Sequence, residues 1–384
     1  AFLTSFNSGL TLFWIGSGGR EPGLATSLLF AALLPKDRHM LKKISADGQK
    51  TDPQDAREWV QVLAKYREPN AWRSSFELAV TLGPFLLLWA LAWWSLSISG
   101  WLAFAISLCN AAFLLRLFAI QHDCGHSAFF KNRTLSDWTG RVIGVLTLTP
   151  YDVWRRVHSI HHSDAGNLDK RGMGDIHTLT VDEYRDLSRW DKIMYRIYRN
   201  PIVLFGVGPI YLYILQNRLP FGLMRDGARY WISAIGTNAV LFVVLGIIVW
   251  FGGLQPLLLI FLPTSIFAGA IGIWLFYVQH QFEEAHWDHG EEWNVHEAAL
   301  HGSSHYVLPQ PLQWLTANIG VHHVHHLSSR IPFYRLPRIL KDHPELKSVG
   351  RLTFWKSLKC VRLALWCETT ERLVSFRAAR GALA

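Results

Sequence analysis

The stretch that decides the fold runs from Leu78 to Leu115 and reads LAVTLGPFLLLWALAWWSLSISGWLAFAISLCNAAFLL. It contains no charged side chain, and the residues from Ser97 to Gly100 interrupt it near its middle as a turn would. A helix needs about 20 apolar residues to cross a bilayer, so this run is long enough for two crossings. The sequence therefore predicts a helical hairpin whose outer ends lie on the same side of a membrane.

A second run, from Tyr230 to Phe282, is also free of Lys, Arg, Asp and Glu, and Gly252 to Pro256 breaks it in the same way. Two hairpins give four spans. Between them, Pro201 to Asn217 is uncharged but too short for a span, which predicts an interfacial or re-entrant helix. The preceding segment, Arg185 to Arg199, mixes aromatic and charged residues and is predicted to be an amphipathic segment at the headgroups.

Composition agrees with a membrane protein, because 50% of the 384 residues are hydrophobic and only 17% are charged. The predicted turns carry no Lys or Arg, so the positive-inside rule places them on the side of the membrane that faces away from the cytoplasm. The basic residues then lie on the cytoplasmic side of what is expected to be a bacterial inner membrane, beginning with Arg116 at the end of the first hairpin. The surplus of basic charge is assigned to this membrane surface and not to nucleic acid.

Histidine is abundant, at 18 residues, and is clustered. The sequence reads HDCGH at 122–126, HSIHH at 158–162 and HHVHH at 322–326. Histidines three and four positions apart lie on one face of a helix, so each cluster can present several imidazoles to one site. The predicted topology places all three clusters on the cytoplasmic side, where they can converge.

A further histidine, His280, closes the last apolar run, and an ionisable residue in that position is a candidate functional residue. Nine potential ligands are too many for one metal ion and suit two. Imidazole binds iron, copper, zinc and nickel, so ligand type alone does not choose the metal. No CxxC pair is present, which argues against iron–sulfur and electron-transfer copper centres. The candidate ligands are His122, His126, His158, His161, His162, His280, His322, His325 and His326.

These clusters, in this order around two membrane hairpins, resemble the membrane fatty acid desaturase family, and its omega-6 (delta-12) acyl-lipid branch most of all. The similarity extends to GNLDKRG at 166–172, QHQFE at 279–283 and NIGV at 318–321, and covers roughly residues 55 to 375. The resemblance implies a non-haem centre of two iron ions that uses O2 and two electrons to remove two hydrogens from an acyl chain. It implies that the nine histidines are the ligands, and that His323 is not.

Proximity to the histidine clusters in the sequence gives further expectations around the metal site. Asp123, Asp169 and Asp175 are candidates to hold ligand N–H groups, as metal-bound histidines usually require. Asn318 is a candidate to reach the site through water, with helix capping or packing as the alternative. Five further histidines follow the last span and are predicted to lie on a solvated cytoplasmic helix, with a second metal site as the alternative: His286, His289, His296, His301 and His305.

Electrons are expected from a separate, ferredoxin-like protein, because the sequence has no HPGG haem-binding motif and no Gly-rich nucleotide loop. The substrate is expected to be an acyl-lipid or another acyl chain that arrives from the bilayer. A fatty acid or alkane hydroxylase and a carotenoid ketolase remain alternatives on the same scaffold. A metal transporter is the remote alternative, since transport requires polar ligands near the bilayer midplane.

The predicted organisation is an all-α integral membrane protein of four transmembrane helices with a cytoplasmic, histidine-rich helical cap. The desaturase domain is assigned to residues 51–375, a basic tail to 376–384 and an N-terminal segment to 1–50. The chain meets its first methionine at Met40, which suggests that the residues before it are not native.

Overall fold

The computed structural model describes residues 56–381, so the predicted N-terminal segment lies outside the described residues. This part of the chain is mostly helical. Its helices are α1 (Ala56–Val62), α2 (Ala71–Ser95), α3 (Gly100–Gly125), α4 (Arg133–Leu146), α5 (Tyr151–Asp164), α6 (Val181–Asp186), α7 (Arg189–Tyr198), α8 (Ala228–Gly252), α9 (Leu254–Pro256), α10 (Leu262–His280), α11 (Val295–His301), α12 (Gln310–Leu315), α13 (His322–Leu327), α14 (Leu336–Asp342), α15 (Phe354–Cys360) and α16 (Phe376–Gly381). Its strands are β1 (Leu179–Thr180), β2 (His305–Val307), β3 (Arg351–Thr353), β4 (Leu363–Cys367) and β5 (Arg372–Ser375).

Four helices in the described part are long and apolar enough to cross a membrane: α2, α3, α8 and the continuous helix Leu254–His280 that contains α9 and α10. They form the two predicted hairpins, so the protein is an integral membrane protein of the predicted mostly helical class. The second hairpin turns at Gly253, whose φ of +65° is a conformation that glycine adopts without strain. Helix α3 packs against both α2 and α10 and is therefore the central span.

The first hairpin contains a buried ion pair that the hydropathy pattern did not predict. Arg116 was expected at the cytoplasmic surface, but its side chain is buried and pairs with Glu77 of α2. Its guanidinium also donates to Thr81 Oγ1 at 3.1 Å and to the Trp314 carbonyl at the end of α12. A charge that leaves water needs such partners. The ion pair joins the two helices of the hairpin, and the hydrogen bond to Trp314 joins the hairpin to the cap.

The segment between the hairpins is helical, as predicted, and includes π-helical turns at Val203–Val207 and Ile210–Leu215 that pack along α10. The preceding α7 is amphipathic, also as predicted. Its Tyr195 and Tyr198 are buried against the protein, while Trp190 remains exposed on the opposite side. An exposed aromatic residue next to a membrane span is typical of the bilayer interface.

The cap differs from the sequence prediction by containing two small sheets. Strand β4 pairs with β1 in parallel and with β5 in antiparallel orientation, and β2 pairs with β3 in parallel. Buried Arg199 joins the first sheet to the last span, since it donates to Gln281 Oε1 and to the Leu363 carbonyl, each at 2.8 Å. Strands this short give little hydropathy signal, which is why the sequence did not reveal them.

The C-terminal residues are packed as far as they are described. Helix α16 follows β5 directly and packs against β4, and Ala379 is buried there. The described part of the predicted basic tail is therefore attached to the cap, and residues 382–384 lie outside the described residues.

Candidate metal centre

Nine histidines converge where the spans meet the cap, and they are the nine that the sequence singled out. Helix α3 brings His122 and the residue that caps it, His126, while α10 ends on His280. Helices α5 and α13 each bring three more. The side chains form two groups, one of His122, His126, His158, His162 and His325 and the other of His161, His280, His322 and His326.

Within each group the candidate ligand nitrogens all lie within 4.8 Å of one another. In the first group, His158 Nε2 lies 3.0 Å from His126 Nε2 and 3.1 Å from His162 Nε2. In the second group, His322 Nε2 lies 3.0 Å from His280 Nε2 and 3.1 Å from His326 Nε2. Imidazole binds an ion such as zinc at about 2.0–2.1 Å, so two nitrogens at right angles about one ion lie about 3 Å apart.

The second and third histidine clusters are divided between the two groups. From α5, His158 and His162 enter the first group and His161 enters the second. From α13, the division is reversed, because His322 and His326 enter the second group and His325 enters the first. On each of these helices, the first histidine and the one four positions later lie in the same group. The histidine three positions after the first lies in the other group. The two groups touch, since the rings of His162 and His326 stack at 4.1 Å.

The protonation state of these imidazoles is compatible with binding a cation. Burial, reinforced by the neighbouring imidazoles, holds the pKa of His126, His158 and His162 well below its ordinary value, so the rings are neutral and their lone pairs are free to bind. The Nε2 atom of His161 is buried without a hydrogen-bond partner among the described residues. A buried nitrogen of this kind is costly unless it binds something, and an ion shared with its group would satisfy it.

Two of the four predicted supporting residues contact candidate ligands. Asp175 accepts a hydrogen bond from His161 Nδ1, which leaves the unpartnered Nε2 to face the group. Gly174, whose φ is +82°, turns the chain there, and a Cβ at this position would lie 3.2 Å from the Cβ of His161. Asp123 lies 3.4 Å from His122 Nδ1 and accepts from the Phe333 amide at 2.7 Å.

The other two predicted supporting residues contact different partners. Asp169 lies 2.7 Å from His289 Nδ1 and accepts from the Gly290 amide at 2.7 Å. Asn318 has a left-handed backbone, with φ at 55°, and its amide donates to the Phe333 carbonyl at 3.5 Å. Asp169 therefore joins the loop after α5 to the loop after α10. Asn318 and Asp123 both contact the backbone of Phe333.

The remaining histidines lie outside both groups. His323 is buried outside both groups, with its Nε2 atom 2.9 Å from the Leu346 carbonyl. The solvated helix predicted after the last span is wrong in extent, because only α11 is helical there and His305 is buried in β2. Within residues 56–381, metal-ligand grouping is confined to the two groups described above.

Two aromatic residues pack against candidate ligands and were not singled out from the sequence. The Trp154 ring stacks on His158 at 4.7 Å and 16°, and Phe276 lies 5.0 Å from His161 and 5.1 Å from His280. Each aromatic residue stands four positions before a ligand and hence on the same helix face, which is the signal that was available. Gly125 permits the approach of Trp154, since a Cβ there would lie 2.8 Å from the indole ring.

A cavity of about 230 Å³ extends from the histidines between the spans and is lined mainly by apolar residues. His122, His158 and His322 lie at its wall, next to Trp154 and Phe276. The cavity therefore offers space for an apolar chain directly beside the candidate metal centre. A mainly apolar lining limits the water beside the site, which favours a reaction at an unactivated C–H bond.

Fold and site together define an integral-membrane protein with two adjoining histidine groups, one buried and one partly buried, at the wall of a mainly apolar cavity. The family described as "Fatty acid desaturase" matches residues 99–356. The chain belongs to the fatty acid desaturase family and is an oxidoreductase.

The chain is similar over most of its length to curated desaturases. A "Fatty acid desaturase" of Bacillus subtilis is 43% identical over 316 residues, which cover 82% of this chain and 89% of the relative. An "sn-1 acyl-lipid omega-3 desaturase (ferredoxin)" of Synechocystis is 28% identical and covers 71% and 75%. An "sn-1 oleoyl-lipid 12-desaturase" of Picosynechococcus is also 28% identical and covers 70% and 74%. The relatives named as 12-desaturases are thus distant from this chain.

Proposed function

We propose that this protein is an O2-dependent fatty acyl desaturase whose nine grouped histidines bind two iron ions. The observation that carries the proposal is the position of the two histidine groups at the wall of an apolar cavity between membrane spans. An acyl chain that enters from the bilayer reaches the metal centre without crossing water. The five-histidine group and the four-histidine group would each hold one ion.

Bound there, two iron ions would supply the redox chemistry that activates O2. Overall, two adjacent methylenes lose one hydrogen each, a carbon–carbon double bond forms, and O2 takes up four electrons and four protons to give two waters. The substrate supplies two of each, and an external donor and the solvent supply the rest. Asp175 and Asp123 would orient the rings of His161 and His122, and the mainly apolar cavity would hold the acyl chain beside them.

The finer part of the proposal is a cis double bond at the delta-12 position of an acyl-lipid. Its support is the resemblance of the histidine clusters to the omega-6 branch and the similarity to relatives named as oleoyl-lipid 12-desaturases. Relatives named as omega-3 desaturases match at comparable identity. The position of the new double bond is therefore a separate readout of the assay.

The proposed electron donor is a ferredoxin-like protein, as the names of two relatives state for those proteins. The cap exposes basic side chains that would attract an acidic donor, among them Arg330, Arg338, Lys341, Lys347 and Lys356. We place this face in the cytoplasm, and the spans in a bacterial inner membrane, by the positive-inside rule. Reduction by an acidic ferredoxin should then slow as ionic strength rises.

The deciding experiment is lipid analysis of a bacterium without desaturases that expresses either the wild type or His158→Ala. Wild type should yield a new unsaturated acyl chain, and a product with its second double bond at carbon 12 supports the finer proposal. The His158→Ala variant, present at equal level in the membrane, should yield none. A hydroxylated acyl product would instead favour a hydroxylase, a keto-carotenoid would favour a ketolase, and an unchanged lipid profile with altered metal uptake would favour a transporter.

A further inference from the structure

The acyl cavity has a smaller neighbour deeper among the spans. This second cavity, of about 20 Å³, is lined mainly by apolar residues that include Ala268 and Gly269 of α10. The two cavities share four residues of their walls: Leu115, Phe118, Tyr213 and Gly272. These four residues, called the partition below, separate the cavity beside the candidate metal centre from the smaller apolar cavity further along the same helices.

Tyr213 is the largest polar-tipped side chain of this partition and comes from the π-helical turn between the hairpins. Its ring lies on the glycine face of α10, because a Cβ at Gly269 would lie 2.7 Å from two of its ring carbons. A Cβ at Gly272 would lie 3.8 Å from the Tyr213 hydroxyl. The missing side chain at Gly269 is what allows the ring to lie against α10 between the two cavities.

The partition stands at a defined depth. Gly272 and Gly269 precede His280 on the same helix by about 12 Å and about 16 Å, at the helical rise of 1.5 Å per residue. This end of the cavity lies inside the membrane-spanning part of the protein, and a charged or carrier-linked end of a substrate would be costly to bury there. It therefore suits the methyl end of an acyl chain.

We propose that Tyr213 closes the methyl end of the acyl cavity and so sets how much chain extends beyond the metal centre. The inference rests on the proposed desaturase function and adds a residue that determines specificity within it. With the metal centre fixed, the depth of the cavity determines both the preferred chain length and the distance of the double bond from the methyl end. Removal of the ring joins the two cavities.

The test compares Tyr213→Ala with Tyr213→Phe in cells fed acyl chains of graded length. Tyr213→Ala should favour a chain about two carbons longer than the one that the wild type prefers. The ratio of the product from this longer chain to the product from the original chain should rise on the order of tenfold, as is usual for small changes in an apolar pocket. On the original chain, the double bond should move away from the methyl end. Tyr213→Phe keeps the ring and should keep the chain-length profile and the double-bond position of the wild type, whatever its overall rate. Tyr213→Leu serves as a smaller truncation should the alanine variant fail to reach the membrane.

Gly272→Ala should make the cavity shallower, whereas Tyr213→Ala should make it deeper. Its new methyl group fits at the junction, with Leu115 Cδ1 at 3.6 Å, and it reduces the available depth. It should therefore lower the use of the longest chains. The role of Tyr213 is overturned, and the proposed function is not, if active Tyr213→Ala and Tyr213→Leu variants keep the wild-type chain-length profile and double-bond position. The same holds if Gly272→Ala and Tyr213→Ala shift the chain-length preference in the same direction. A wild type without any unsaturated product would overturn the proposed function instead.

Discussion

Glu77 and Arg116, which bound the uncharged stretch of the first hairpin in the sequence, form an ion pair within the folded hairpin. Both side chains are about 1% exposed. The Arg116 guanidinium also lies over the Trp314 ring, 4.0 Å from its centroid. The hairpin and the cap that carries the third histidine cluster are therefore joined through one buried cation.

Glu77→Gln should destabilise the protein, because it leaves the Arg116 charge buried without its counter-ion. Breaking a buried pair in this way costs about 3–5 kcal/mol. Thermal denaturation of the detergent-solubilised protein measures the loss. The matched control is Arg73→Gln, since Arg73 also pairs with Glu77 but is half exposed, and such a pair contributes at most about 1 kcal/mol. Equal losses in the two variants would contradict the role given to Arg116.

Asp175→Asn should weaken metal binding without unfolding the protein. The carboxylate fixes the His161 ring through its Nδ1, and the loss of such a partner typically lowers metal affinity by about 10–100-fold. Iron content after dialysis against a graded chelator measures the change. Asp169→Asn is the control, because Asp169 contacts His289 and not a candidate ligand. If both variants lose iron alike, the contact with His161 is not what retains the metal.

His325→Gln should lose iron and desaturation, whereas His323→Gln should keep both. The two residues stand in the same cluster, but only His325 faces a group of candidate ligands, while His323 contacts the Leu346 carbonyl. A glutamine at position 323 can still donate to that carbonyl. Metal analysis of the purified variants, together with their lipid products, gives the comparison, and iron loss from His323→Gln would contradict the assignment.

The contact of His289 with Asp169 and Glu368 should weaken as pH rises. Hydrogen bonds to Glu368 and Asp169 raise the pKa of His289 above its ordinary value. A raised folded-state pKa contributes stability that is complete below the ordinary histidine pKa and is lost as pH rises through the raised value. These contacts join the loop after α5, the loop after the last span and the β4–β5 turn.

Hydrogen exchange in those three segments, compared between the wild type and His289→Gln, measures this effect, because intrinsic exchange rates cancel in the comparison. The wild type should be better protected near pH 6, where an ordinary histidine is largely charged, and the difference should vanish at about pH 9. A difference that stays constant with pH would mean that the charge of His289 has no part in it.

The sequence alone determined the spans, the turns between them and the identity of the nine histidines. These are local properties: a run of apolar residues without charge specifies a membrane helix wherever it lies in a chain, and a spacing of three or four specifies a shared helix face. Asp175 and Asp123 were found because each lies close in sequence to a histidine cluster. The same reasoning also selected Asp169, which contacts His289 instead.

Tertiary structure decided what depends on how helices from distant parts of the chain approach one another. It divided the clusters of α5 and α13 between two groups, buried Arg116 against Glu77 and placed Tyr213 in the wall that the two cavities share. Spacing along one helix fixes the direction of a side chain but not which neighbour lies in that direction. The type of candidate ligand could therefore be predicted from the sequence, whereas the division into two groups and the depth of the cavity depend on how the helices pack.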